Sequence, residues 1–170
     1  MFKKIYFGLF FMSSFAFADP TVFGLTLGKT TNKEVESKYS IKPFAENKYS
    51  NGNMYEIPMS QINFDGLQKV TLVFDRAGVL ELVLAQFPKN KFDSINSTLK
   101  GKYKFVNGEI PHVGNKWVKY KDGNSYITLD APHMSFDMDL EYITDDFLKS
   151  IKKQRSEENN KKSINEKNQL

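Results

Sequence analysis

The chain has 170 residues, 24 Lys or Arg against 20 Asp or Glu, and no cysteine. Two of those cations, Lys3 and Lys4, precede an apolar run, so the rest of the chain is nearly neutral and carries no electrostatic footprint for nucleic acid. Without Cys there can be no disulfide framework, thiol nucleophile or Cys-based metal site, and folding has to rest on an apolar core.

Residues 1–18 read as a cleavable export signal. Lys3 and Lys4 form the positive region, Ile5 to Phe17 is apolar or small, and Ala16-Phe17-Ala18 presents small residues at the −3 and −1 positions of a cleavage site. The run is shorter than the roughly 20 apolar residues a membrane span needs. The expected product begins at Asp19, is periplasmic or secreted, and has no stable membrane insertion after cleavage. Removing 18 residues from 170 leaves 152, the size of one domain.

Thr31-Asn32-Lys33-Glu34 has the pattern of a capping box and predicts a short helix to about Tyr39. Residues 43–53 are rich in Asn, Ser and Gly and predict a loop. Alternation over Lys69–Asp75 and Val79–Phe87 predicts a hairpin turning at Asp75-Arg76-Ala77-Gly78, with Gly78 left-handed. Its second face is also partly apolar (Val73, Val79, Val83, Ala85), which predicts cover on both sides. A second helix, opened by Pro88 and Asn90, runs to about Tyr103 on Phe92, Ile95 and Leu99. A loop over 106–115 leads to strands at Lys116–Lys121, Tyr126–Asp130 and Ser135–Ile143. Thr144 caps a third helix with Phe147, Leu148 and Ile151 on one side. From Gln154 the composition is Lys, Glu, Asn and Gln, predicting a disordered tail over 154–170 after a single domain of 19–153.

The fold class expected is α+β: one antiparallel sheet of five to seven strands with helices on one face. Val35-x-x-Lys38-Tyr39-x-Ile41 echoes Leu99-x-x-Lys102-Tyr103-x-Phe105. A tandem helix-plus-hairpin repeat would produce that echo, and so would two unrelated amphipathic helices that lead into loops. The stretch Phe23 to Thr31, Phe-Gly-Leu-Thr-Leu-Gly-Lys-Thr-Thr, followed by Glu34-Val35, resembles the helix entry of small periplasmic proteins. These are the outer-membrane assembly lipoproteins of the SmpA/OmlA (BamE) type and the β-lactamase inhibitory proteins. The resemblance implies helices packed on an antiparallel sheet and no catalytic activity. The chain departs from both groups, lacking the lipobox cysteine of the first and the disulfide cysteines of the second.

No G-x-S-x-G elbow or phosphate-cradling Gly-rich loop is present. His112 and His133, each after a proline, lack a third ligand partner in sequence, so neither cofactor nor metal is expected. Asp137, Asp139 and Glu141 alternate with Phe136, Met138, Leu140 and Tyr142, and read as the wet face of a strand with Lys119 or Lys121 paired across, not as a calcium loop. Asn47 to Tyr55 has the Tyr, Ser, Gly and Asn composition of adaptable recognition loops. If the chain is a repeat, the loops at 43–55 and 106–115 are equivalent. Tyr49, Asn51, Tyr55, His112 and Trp117 are then expected to share one rim and bind a protein or envelope component. Two other readings are open: a secreted or periplasmic hydrolase inhibitor or immunity protein, and a hydrolase with an unrecognised Asp/Glu/His site.

Overall fold

The computed structural model describes residues 19–169; the predicted export signal, residues 1–18, lies outside the described residues. The chain opens with a minimal hairpin, β1 (Thr21–Val22) and β2 (Leu25–Thr26), turned by Phe23 and Gly24 at φ 52° and 74°. Two central residues at positive φ make the tight turn whose twist suits a hairpin. Gly24 adopts it freely, whereas Phe23 carries a Cβ penalty of about 1–2 kcal/mol.

Helix α1 (Asn32–Tyr39) starts at the predicted capping box: the Thr31 amide donates to the Glu34 carboxylate at 2.7 Å, and the Glu34 amide donates back to the Thr31 hydroxyl at 3.4 Å. Four strands follow, β3 (Ala45–Glu46), β4 (Asn53–Glu56), β5 (Lys69–Phe74) and β6 (Leu80–Pro88). Gly78 takes the predicted left-handed position at φ 84°. Helix α2 (Phe92–Lys102) introduces four more, β7 (Lys104–Glu109), β8 (Lys116–Asp122), β9 (Ser125–Ala131) and β10 (Asp137–Thr144). The chain closes with α3 (Asp145–Lys167), capped by the Thr144 hydroxyl accepting from the Phe147 amide at 3.3 Å.

The fold is α+β with an eight-stranded antiparallel sheet in the order β3-β4-β5-β6-β10-β9-β8-β7. Each half is one helix followed by a four-strand meander. The halves join where β6 meets β10 antiparallel, with Ala85 opposite Leu140, so the architecture repeats about an approximate two-fold axis. The repeating unit is therefore larger than a helix plus a hairpin. The sheet also exceeds the expected five to seven strands. β3 and β4 flank the Asn/Gly turn that reads as loop, and β7, KFVNGE, is an exposed edge whose residues give no alternation to read.

Register separates the two faces. Leu72, Val83, Tyr142 and Ile127 stand side by side across four strands and belong to the main core, under Val35 and Tyr39 of α1 and Ile95 and Leu99 of α2. The next row, Val73, Leu82, Ile143 and Tyr126, points to the opposite face and packs with Phe147, Leu148 and Ile151 of α3. Placing all the helices on one face is thus corrected: α1 and α2 share a face, and α3 covers part of the other. The cause lies in the β5–β6 hairpin, which is apolar on both sides and needs cover on both, as the sequence predicts.

The tail also differs from expectation. Instead of ending near residue 153, α3 runs to Lys167, and Gln154 donates to the Tyr49 carbonyl at 3.0 Å while Lys48 and Glu158 pair at 3.2 Å. Propensity alone does not see these contacts, because the partner lies 105 residues away. From Arg155 onward every described residue is exposed.

Candidate recognition surface

Tyr49, Asn51, Tyr55, His112 and Trp117 do not share a rim. β3 and β7 are opposite edges of the sheet, so β4 and β8 stand five strand spacings apart, about 24 Å. A repeat closed by a two-fold through the middle of a sheet sends equivalent loops to opposite corners, and the one-rim expectation is corrected on that ground.

At the first corner, Tyr49 is half-buried against α3. Its hydroxyl accepts from Arg155 at 3.4 Å, and its ring lies 4.6 Å from the Lys48 ammonium. Arg155, then Lys48, holds the phenol below its ordinary value. Asn51 turns the β3–β4 connection at φ 53° and stays exposed. Tyr55 is fully buried in the core, packs edge-on against Phe74 at 5.2 Å and donates to the Glu36 carboxylate. It is a core residue and presents no surface.

The second corner is where the apolar exposure concentrates. The β7–β8 loop carries Ile110, His112 and Val113, and the β9–β10 loop carries His133, Met134 and Phe136. Both loops leave the same end of the sheet, since β7 and β9 run parallel within it. The His133 amide donates to Asn115 Oδ1 at 2.8 Å and ties them together. Lys89, at the end of β6, fixes the second loop: its amide donates to the Phe136 carbonyl at 2.8 Å and its ammonium to the His133 carbonyl at 3.0 Å. The Ser135 hydroxyl accepts from the Asp137 amide at 3.0 Å. With its backbone so held, the loop leaves Met134 and Phe136 91% and 93% exposed, and Val113 on the β7–β8 loop is 77% exposed. Sequence parity groups Phe136 with the core residues Met138 and Leu140, but the ladder to β6 ends at Asp137 opposite Pro88. Phe136 lies one residue past that end and has no core beneath it.

Trp117, at the start of β8, is half-buried on the α3 face, opposite Glu109 and Asp130. The acidic row Asp137, Asp139 and Glu141 shares that face, with Arg155 of α3 close enough to Glu141 to lower its carboxyl. β10 is a central strand, so this row guards no edge. Thr128, and not a lysine, stands opposite Glu141, with Lys119 one strand further on. Partial burial, then Asp130 and Asp137, raises the Asp139 carboxyl; burial raises Glu141, and Lys119 pulls it back.

Among the described residues no three His, Asp or Glu side chains cluster so as to hold a metal ion. The cavities that include Glu81 and Asp139, both carboxyls of raised pKa, contain neither histidine. No described helix is long and apolar enough to cross a membrane. In comparisons with protein-family models, curated proteins and solved structures, nothing matches this chain.

Proposed function

We propose that this chain is a non-enzymatic periplasmic or secreted binding protein. It would recognise another protein or an envelope component through the paired loops at 110–113 and 132–136. The observation that carries this reading is Met134 and Phe136, almost wholly in water on a loop whose backbone is fastened by Lys89, Ser135 and Asn115. Apolar side chains held in water cost free energy relative to burial, and clusters of them mark interaction sites. A loop ordered before binding has less entropy to lose when it docks. Two exposed apolar tips at one end of the sheet suit a partner that offers an apolar groove. A hydrolase inhibitor or immunity protein is the specific form of this reading that the protruding Phe136 supports.

Photocrosslinking tests it. A photoreactive residue at position 136, expressed in the native host, is expected to give a discrete adduct. Met134→Asp should abolish the adduct and leave melting unchanged. Adducts formed from position 49 or 139 but not from 136 would sink this assignment.

A further inference from the structure

A second feature, independent of the loop tips, lies on the helical face. Between the two halves of the molecule, over the β6–β10 seam, is an open crevice of about 380 Å³. Its floor is Phe87 and Leu140, and one wall is Ile95 and Leu99 of α2. The facing wall is a run of edge-on aromatic contacts, Phe23 to Phe64 at 5.9 Å and Phe64 to Phe87 at 5.4 Å. Phe64 remains 49% exposed, so the aromatic wall is not filled by the protein itself.

Two observations indicate what fills it. Among the described residues, Lys102 is the only charged side chain lining the crevice, no acid lines it, and Lys102 forms no salt bridge. An apolar trough with one free cation complements an apolar chain that ends in one negative charge. The volume lies within the range of small-molecule sites, about 300–1,000 Å³. Phe23, which forms part of this wall, has its backbone held left-handed at φ 52° in the β1–β2 turn, a conformation glycine would adopt without strain. Strain of this kind is retained where the surrounding structure or a ligand makes use of it.

We infer that the crevice binds a medium-chain carboxylate amphiphile, its chain against Phe23, Phe64 and Leu99 and its carboxylate on Lys102. The experiment follows displacement of a dansyl-labelled undecanoate from the purified protein by dodecanoate and by dodecanol, below their aggregation limits. Dodecanoate is expected to compete saturably, and dodecanol about tenfold more weakly, as loss of a charged contact implies. Lys102→Met should erase that difference. Phe23→Gly relieves the turn but also removes the ring's packing on the core, so it should melt within about 3 °C of the parent and yet bind dodecanoate about tenfold more weakly. That separation distinguishes a ligand contact from a packing residue. No saturable displacement, equal competition by acid and alcohol, or normal binding by Phe23→Gly would each overturn the inference. So would self-association of the protein that Phe64→Ala abolishes while displacement is absent, which would assign the crevice to a second copy.

Discussion

Replacing Glu81 by glutamine tests the electrostatics at the end of the sheet where the β5–β6 turn meets the start of α3. Glu81 lines a cavity with Asp19, Asp75 and Asp146. Burial, then the charges of Asp75 and Asp146, pushes its carboxyl from 4.5 up to about 7. That gap is a factor of roughly 300 in proton affinity, about 3 kcal/mol at about 1.4 kcal/mol per tenfold. Because the side chain is half in water, screening reduces the usable figure to about 1–2 kcal/mol. The sign follows from linkage. Below pH 4.5 both folded and unfolded chains hold the proton and nothing is lost. Between 4.5 and about 7 the unfolded chain releases it while the folded chain keeps it, so stability falls as pH rises and the loss is complete above about 7. Glu81→Gln keeps the shape and removes the charge. It should therefore melt about 3–6 °C higher than the parent at pH 8, with the difference vanishing by about pH 4. Thermal melts followed by circular dichroism at matched ionic strength across that range provide the assay. A difference independent of pH, or a variant less stable at pH 8, would refute the reasoning.

Gly52 and the tail provide sharper steric and contact tests. A Cβ on Gly52 would sit 2.2 Å from the Phe74 carbonyl oxygen and 2.3 Å from that of Asp75. Both are backbone atoms that cannot step aside, so Gly52→Ala should cost about 3 kcal/mol in a urea titration, and a neutral outcome would mean the β3–β4 turn rearranges freely. Ending the chain after Asn159 should leave melting within about 2 °C of the parent. Ending it after Lys153 removes Gln154 and Arg155 from Tyr49 and should cost about 1 kcal/mol, or about 3 °C. Equal melting of the two truncations would show that α3 contributes nothing past its third turn.

The elements legible in the sequence are those whose signals are local. The Thr31 capping box, the Asp75–Gly78 turn, the Thr144 cap and the alternation in β5 and β6 each follow from neighbouring residues, and each appears in place. The double-sided apolarity of the β5–β6 hairpin likewise announces cover on both faces. It does not say which helix supplies the second cover, because that depends on register: the choice between Leu72 and Val73 facing α1 is settled by the pairing of β5 on β6 and of β6 on β10. The candidate site was less legible for the same reason. Tyr49, Asn51 and His112 are loop residues as read, but their separation depends on the antiparallel joining of β6 to β10, to which no local residue points. Tyr55 and Phe136 are exchanged relative to expectation. The tyrosine has neighbouring strands on both sides and is buried, whereas the phenylalanine falls one residue past the end of a ladder.

The β6–β10 seam has a consequence for assembly of the chain. Within each half, every strand pairs with its neighbour in sequence, so both meanders close through local connections, the longest being residues 57–68 between β4 and β5, at modest entropic cost. Among the strand pairings of the large sheet, only the seam joins residues as far as 55 apart, as at Ala85 and Leu140, and it is the slow, non-local pairing of the topology. Until it forms, each half presents an apolar strand with an open edge. β6 of one molecule can then meet β10 of another in the same register as its own, and the link over 89–91 into α2 acts as the hinge. The same joint that makes one sheet from two halves thus makes a domain-swapped dimer the natural misassembly of this protein at high concentration.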